Sequence, residues 1–293
     1  MAHGVDLRNT LGAAPIQRDV VRVEGPEAIE FLQGQLSQDV AVLALDRSVP
    51  SLLLQPTGKV VAWLRATRVM DDAVLLDVDA GFGEAVLARL SRFKLRTKAD
   101  LSLEPWSGLA LRGPGAEAVD GPSGALSAVA SWPGVEGVDL LSSGELALAG
   151  VPLVDPAALE ALRIECGVPT NGAELTEATI PAEAGQWLID ASTSFTKGCY
   201  TGQELVARID SRGGNVPRPL RGLVVDGEPV VPGATVWNGD VEVGTVTSAA
   251  RSVVLGAIAL APLARSVEVG RAVELRSADG GVAPATVVAL PMR

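Results

Sequence analysis

Apolar and polar positions alternate along the first hundred residues in patterns of two different periods. Val20-Val21-Arg22-Val23 reads as a strand. The Gly25-Pro26 that follows opens a helix, with proline in the first turn, where its missing N–H costs nothing. Ala28, Ile29, Leu32 and Leu36 recur at helical spacing and mark one apolar face. Residues 51–54 and 60–69 read as two strands around the turn Pro56-Thr57-Gly58. Residues 74–78 read as a further strand. Residues 82–93 form an amphipathic helix with Phe82, Val86, Leu87, Leu90 and Phe93 on its apolar side. Strands, helices and hairpins in this order predict α+β lobes.

Residues 104–150 are richer in Gly, Pro and Ser, and short apolar runs at 109–111 and 145–148 predict short strands joined by loops. Pro156 begins a helix over 157–166, closed by Gly167 and followed by Pro169. Its apolar face carries Leu159, Leu162 and Cys166. The texture changes after Leu220. Short β-type runs recur at 222–225, 235–237, 241–246, 253–259, 272–275 and 286–290, and Asn238-Gly239 is a two-residue hairpin signal between two of them. This predicts a small antiparallel β-barrel over 217–293, with Pro217 and Pro219 at the linker, after an α+β region over 1–216 whose two lobes exchange segments.

The length of 293 residues agrees with two domains. A chain with 47% apolar and 20% charged residues is globular rather than disordered. The net charge of −11 argues against broad nucleic-acid binding, which needs cations to neutralise phosphates. The one histidine, His3, lies in a stretch that reads as a frayed start, so Ser-His-Asp and Cys-His catalysis and multi-histidine zinc sites are excluded. Two cysteines, Cys166 and Cys199, cannot form an all-cysteine zinc site or a disulfide framework, which favours a reducing compartment. One bridge between them stays open. No apolar signal core is visible, and the longest apolar run, 253–263, is interrupted by Gly256 and Pro262. A cytoplasmic protein with no membrane partner and no metal site of its own is expected. Only four of the basic residues are lysines (Lys59, Lys94, Lys98 and Lys197), which draws attention to any lysine in a motif.

One such motif is Phe195-Thr196-Lys197-Gly198-Cys199-Tyr200-Thr201-Gly202-Gln203-Glu204. Thr201 followed three residues later by Glu204 is a capping-box pattern and predicts a helix start there. Cys199 then lies just outside a helix N-terminus, two residues from Lys197. Both surroundings favour thiolate over thiol, so a depressed Cys199 pKa is expected. The plain alternative is an inert buried cysteine, which is how Cys166 reads. Gly198 and Gly202 can serve a tight turn alone, Tyr200 can be core, and capping alone explains Thr201 and Glu204.

The run from Lys197 to Glu204, continued by Val206-Ala207-Arg208, resembles the signature of the YgfZ-type folate-binding proteins, relatives of the glycine-cleavage aminomethyltransferase or T-protein. Phe31-Leu32-Gln33-Gly34-Gln35, Asp39-Val40, Gln55-Pro56-Thr57-Gly58-Lys59, Leu162-Arg163-Ile164-Glu165 and Pro181-Ala182-Glu183-Ala184-Gly185 are similar to further segments of that superfamily. The resemblance implies two interleaved α+β lobes of the T-protein folate-binding fold and a C-terminal barrel around a channel that takes tetrahydrofolate. It implies that Cys199 is the essential cysteine, with Lys197 as its motif partner, and that Glu183 holds the pterin. Tyr200, Gly202, Gln203, Glu204 and Arg208 are the further cofactor-binding candidates. Arg208, Arg212 and Arg163 are candidates for the folate tail, and Trp187 either stacks on the pterin or belongs to the core. The T-protein branch carries an acidic residue where Cys199 stands, so its own reaction does not transfer directly.

Two readings follow. One is a folate-binding accessory protein for assembly or repair of iron–sulfur enzymes, including tRNA-modifying ones, whose client proteins it meets transiently. The other is a folate-dependent aminomethyl or one-carbon transferase. A bare scaffold with no ligand is a third and weaker alternative.

Overall fold

The computed structural model describes residues 4–292, so His3 lies outside the described residues. In chain order the first part contains β1 (Gly12–Glu24), α1 (Ala28–Gln35), β2 (Ser48–Leu54), β3 (Val60–Met70), β4 (Ala73–Asp79), α2 (Gly83–Lys94), β5 (Asp100–Arg112), β6 (Leu126–Val129) and β7 (Gly137–Ser142). Three helices follow, α3 (Pro156–Cys166), α4 (Gln186–Ser192) and α5 (Gln203–Asp210). The last part contains β8 (Leu220–Val225), β9 (Thr235–Asn238), β10 (Val241–Thr245), β11 (Ser248–Ser252), β12 (Gly256–Pro262), β13 (Ala272–Arg276) and β14 (Val282–Val288). The fold is α+β, as expected, with two antiparallel sheets ordered β2-β3-β4-β1-β5-β7-β6 and β10-β9-β13-β14-β8-β12-β11.

The two lobes are halves of one sheet. β1 pairs with β5 along its full length, from Gly12 opposite Arg112 to Glu24 opposite Asp100. Residues 109–111 are therefore the end of a long strand rather than a short one of their own. The run at 145–148 forms no strand; Leu146 and Leu148 instead pack against the small core around Ala13, Leu111 and Leu140. Apolar residues suffice for packing, but a strand also needs a partner edge for its backbone groups.

α1 and α2 cover one face of the β2–β1 half, over a core that includes Val21, Val23, Leu32, Leu64, Leu76 and Leu90. Each such side chain contributes on the order of 1.5–3 kcal/mol relative to exposure. The anticipated face of α1 is buried at Ala28, Leu32 and Leu36, with Phe31 added and Ile29 at the margin. α3 has the expected ends. The Asp155 carboxylate accepts the Ala157 N–H at 2.9 Å, Pro156 occupies the first turn, and Gly167 closes the helix at φ 68°.

In the C-terminal sheet the expected run at 253–259 divides. β11 and β12 form a hairpin, with Gly256 at φ 75° at the start of the second strand and the Val254 and Leu255 N–H groups donating to Ser252 Oγ. A two-residue hairpin does form there, but with Asn238 paired opposite Val241 its loop is Gly239-Asp240, one position later than the Asn238-Gly239 signal. A bridge between Gly244 and Leu263 draws the β10 edge towards β12 and curls the sheet around Leu223, Val236, Leu263 and Leu275. Among the described residues no helix is long and apolar enough to cross a membrane.

The other face of the first sheet carries charge. Strand alternation sends Ala62, Leu64 and Ala66 of β3 to the helices and Trp63 and Arg65 away from them. On β4 the same rule turns Asp77 and Asp79 to this second face. Arg18, opposite Asp79, pairs with Asp79 and with Asp77 at 3.1 Å. Arg65 holds Asp77 through two bonds of 2.9 Å and reaches Asp139 at 3.0 Å. Arg112 closes the row on Asp139 at 2.8 Å. Three guanidinium groups and three carboxylates thus alternate across β4, β1, β3, β7 and β5, with Asp77, Arg65, Asp139 and Arg112 buried and Arg18 and Asp79 partly exposed at one end.

This row makes a pH prediction. Although burial alone would raise it, Arg112 and Arg65 hold the Asp139 carboxyl at about 2, below its ordinary 3.8. Its stabilisation is therefore fully present above pH 3.8 and is lost as the pH falls through 2, amounting to about 2 kcal/mol. Urea unfolding of wild type and Asp139→Asn checks this. The variant is less stable at pH 7, by about 3 kcal/mol, and loses less further stability on acidification than wild type does.

Candidate functional site

The motif around Cys199 is assembled from three distant parts of the chain. The loop between α4 and α5 lies across the C-terminal end of α1. There the Lys197 ammonium donates to the carbonyls of Gln33 at 2.7 Å, Leu36 at 2.8 Å and Gln38 at 2.9 Å. These include carbonyls that a helix end leaves unpaired, and a cation suits the negative end of the helix dipole. Thr201 N–H adds a bond to Gly34 C=O at 3.1 Å. The second docking partner is the turn at 55–59. Gly202 comes so close that a Cβ there would lie 2.5 Å from the Gln55 carbonyl, and Gly58 faces Leu205 with similar lack of room. These two glycines, both at positive φ, let the two segments touch.

α5 begins after Gly202, as the motif suggests, but not through the anticipated capping box. Gly202 is the N-cap and no side chain caps the helix. Gln203 Oε1 instead accepts the Tyr200 N–H at 3.1 Å, while Thr201 turns to α1 and Glu204 to solvent. A left-handed glycine at the cap leaves no side-chain oxygen to serve the helix. Tyr200 is buried in a cluster with Leu54, Leu188 and Val206, and burial pushes its hydroxyl up to about 12. Burial also pulls Lys197 down to about 8, with Asp39 opposing.

The two cysteines differ sharply. Cys166 is fully buried on α3, its thiol pushed up to about 11 by burial, with Arg8 Nη2 3.5 Å from the sulfur. Cys199 is exposed and free. The disulfide left open by the sequence is not formed.

A cavity of about 280 Å³ lies elsewhere, against the charged face of the first sheet. Arg18, Arg65, Arg112 and Asp139 of the charged row form its back wall, and Trp63, Trp132, Ile16, Pro50 and Leu159 supply apolar surface. The Arg112 guanidinium stacks over the Trp132 ring at 4.1 Å, and its Nε is buried without a protein partner. α3 contributes Glu160 and Arg163. Arg163 grips Glu160 through bonds of 2.8 and 2.6 Å, and also bonds Val168 C=O, Glu174 and Ser248 of β11. Glu160 stays 44% exposed, so its remaining lone pairs are available.

Glu183 lines a second cleft with Glu174, Thr176, Thr179 and Arg218. Arg163 faces the first cavity and its partner Glu174 the second, so this pair separates them. Glu183 Oε2 accepts the Ile180 N–H at 3.0 Å, and burial raises its carboxyl above the ordinary value. Of the other candidates, Arg208 and Arg212 are exposed, and Trp187 packs edge-on to Trp63 at 6.0 Å within the core. Cys199, Lys197, Tyr200, Gly202, Gln203, Glu204 and Arg208 line neither cavity. The sequence reading missed Arg18, Trp63, Arg65, Arg112, Trp132, Asp139 and Glu160. One available signal was Leu75-Leu76-Asp77-Val78-Asp79, where two aspartates share one face of an otherwise apolar strand.

Residues 218–292 match the glycine cleavage T-protein C-terminal barrel domain. The chain is 30% identical to the aminomethyltransferase of Thermus thermophilus, across 92% of this chain and 83% of that protein. The chain belongs to the glycine-cleavage T-protein-like family. A tRNA-modifying protein YgfZ from Pectobacterium carotovorum is 28% identical over 65% of the chain, and an iron–sulfur cluster assembly factor IBA57 homologue from Phaeosphaeria nodorum 29% identical over 69%. The matches span 63% and 53% of those two relatives' own lengths. The Lys-Gly-Cys-Tyr segment and these two matches make the chain similar to the YgfZ-type proteins as well. The crystal structure of aminomethyltransferase T from Bartonella henselae superposes with a TM-score of 0.77 at 22% identity, covering 98% of this chain and 87% of that one. It shares the fold.

Two predictions follow from the motif. A thiol reagent such as dithionitrobenzoate titrates Cys199 in the native protein and reaches Cys166 only on unfolding. Lys197→Met leaves three carbonyls without their cation and lowers the unfolding free energy by about 1–3 kcal/mol, read from urea midpoints.

Proposed function

We propose that this protein binds a reduced folate in the cavity against the charged sheet face, and that it serves iron–sulfur proteins through the exposed thiol of Cys199. The cavity carries the first half of this reading. A pteridine is flat, has adjacent N–H donors at one edge and bears acceptor atoms elsewhere. Trp63 and Trp132 offer aromatic surface, and Glu160 offers a carboxylate held in place by Arg163. The wall chemistry therefore fits the group. When bound, tetrahydrofolate supplies a carrier for a one-carbon unit.

Within this reading Glu160 faces the donor edge, and the compensated row excludes a second unpaired charge from the back wall. Glu183 acts in the second cleft, beyond the Arg163–Glu174 partition. Arg208 and Arg212 are exposed and line neither cavity.

The second half rests on the relatives named for tRNA modification and iron–sulfur cluster assembly, and on the free thiol. One thiolate cannot hold a cluster, which usually needs four protein ligands, so Cys199 shares any cluster or sulfur species with a client protein or a small thiol. Lys197 positions the thiol by fixing its loop to α1 rather than by reacting itself.

The expected outcome for Cys199→Ala is intact folding and folate affinity, because the residue lines no part of the cavity, with loss of the ability to restore iron–sulfur enzyme activity to a deletion strain. Full restoration by this variant would overturn the thiol's role. The extensive match to an aminomethyltransferase favours one alternative, folate-dependent one-carbon transfer. Formation of methylene-tetrahydrofolate from a methylamine donor above the uncatalysed background would establish it.

A further inference from the structure

Cys199 lines neither cavity, yet a continuous series of hydrogen bonds joins its loop to the wall of the first. The series starts at Trp63, which is partly exposed on the cavity. The Trp63 backbone is clamped by the Asn171 side chain, its N–H donating at 2.8 Å and its carbonyl accepting at 2.9 Å. Asn171 is anchored in turn on Asp79 of the charged row. The indole N–H donates to Ser192 Oγ at 2.9 Å, and the ring meets Trp187 edge-on at 86°. Ser192 and Trp187 both belong to α4, the helix that leads into the cysteine loop.

From Ser192 the series continues to the end of α1. The Ser192 carbonyl accepts the Ser37 hydroxyl at 2.6 Å, and the Ser37 carbonyl accepts the Ser194 N–H at 3.0 Å. The carbonyls on either side of Ser37, those of Leu36 and Gln38, hold the Lys197 ammonium. Cys199 follows two residues later.

We infer that occupancy of the cavity sets the placement, and so the reactivity, of the Cys199 thiol, with Trp63 and Ser192 as the positioning residues that link the two. The inference rests on the folate reading and names the regulation of that same site. Two observations carry it. Trp63 is held at its backbone, its N–H and its ring edge, so a ligand that loads the ring displaces Ser192 and α4 rather than the ring alone. The Thr193 hydroxyl, in the first residue after α4, is buried without a partner. That hydroxyl adds nothing to holding this arrangement, so the start of the loop is where a displacement of α4 is resisted least.

The test measures iodoacetamide alkylation of Cys199 in the full-length protein, by mass spectrometry, with and without saturating 5-formyl-tetrahydrofolate. Calorimetry establishes saturation. In wild type the ligand slows alkylation at least about threefold, and by reciprocity the alkylated protein binds the ligand about threefold more weakly. Ser192→Ala removes the hydroxyl that accepts the indole N–H; it keeps its affinity within about twofold, and its alkylation rate no longer responds to the ligand. Ser192→Thr, which retains a hydroxyl, restores the response and covers the case in which the alanine variant fails to fold. An equal response in wild type and Ser192→Ala overturns the inference, as does a wild type that binds the ligand without any change in alkylation. A wild type that gives no binding heat removes the folate reading and the coupling together.

Discussion

The alternation of Arg18, Arg65 and Arg112 with Asp77, Asp79 and Asp139 is the constraint on which the site depends. Half of the first sheet is covered by two helices on one face only, and its other face carries charge that the fold encloses. An isolated guanidinium or carboxylate there would be too costly to bury. In a row each group has partners on both sides or ends at a cavity wall, so the charge can be enclosed while the cavity keeps a polar lining. The row also fixes the register of β1, β3 and β4, because a one-residue slip would turn the aspartates into the helix-covered core.

Arg163 extends the same logic from the sheet to the barrel. Its guanidinium reaches Glu160 on its own helix, Glu174 in the connecting segment and Ser248 on β11. One side chain thus braces the α+β part against the C-terminal sheet and divides the two cavities. The thiol loop is organised differently. Lys197 and two glycines hold it to α1 and to the turn at 55–59, leaving Cys199 in solvent. The thiol therefore lies outside the cavity and is joined to its wall through Trp63, Ser192 and the end of α1 rather than by direct contact.

How much of this could be read beforehand varied with the range of the interaction. The bounds of α3 were legible because Pro156 and Gly167 act locally, and Leu162 and Cys166 are buried as read, while Leu159 lines the cavity. The hairpin at Asn238 was legible, one position early, for the same local reason. β5 was not, because its half-apolar sequence becomes a strand only when all of β1 pairs with it. The Thr201 and Glu204 pattern matched a capping box by spacing, but the close approach of Gly202 to Gln55 decided the cap instead. The lysine of the motif was singled out correctly as unusual, while the carbonyls it would meet lie some 160 positions earlier in the chain.

The order of residues alone determined the fold class, the change to short strands after Leu220 and the segment by which the chain resembles the YgfZ-type proteins. Those properties follow from periodicity, turn chemistry and short motifs, each confined to a few neighbouring residues. Only the tertiary structure decided that Cys199 is open while Cys166 is closed, that Glu183 and Glu160 face different cavities, and that the arginines and aspartates of five strands form one row. Each of these depends on which faces meet across long separations, and alternation along a strand says that a face exists without saying what covers it.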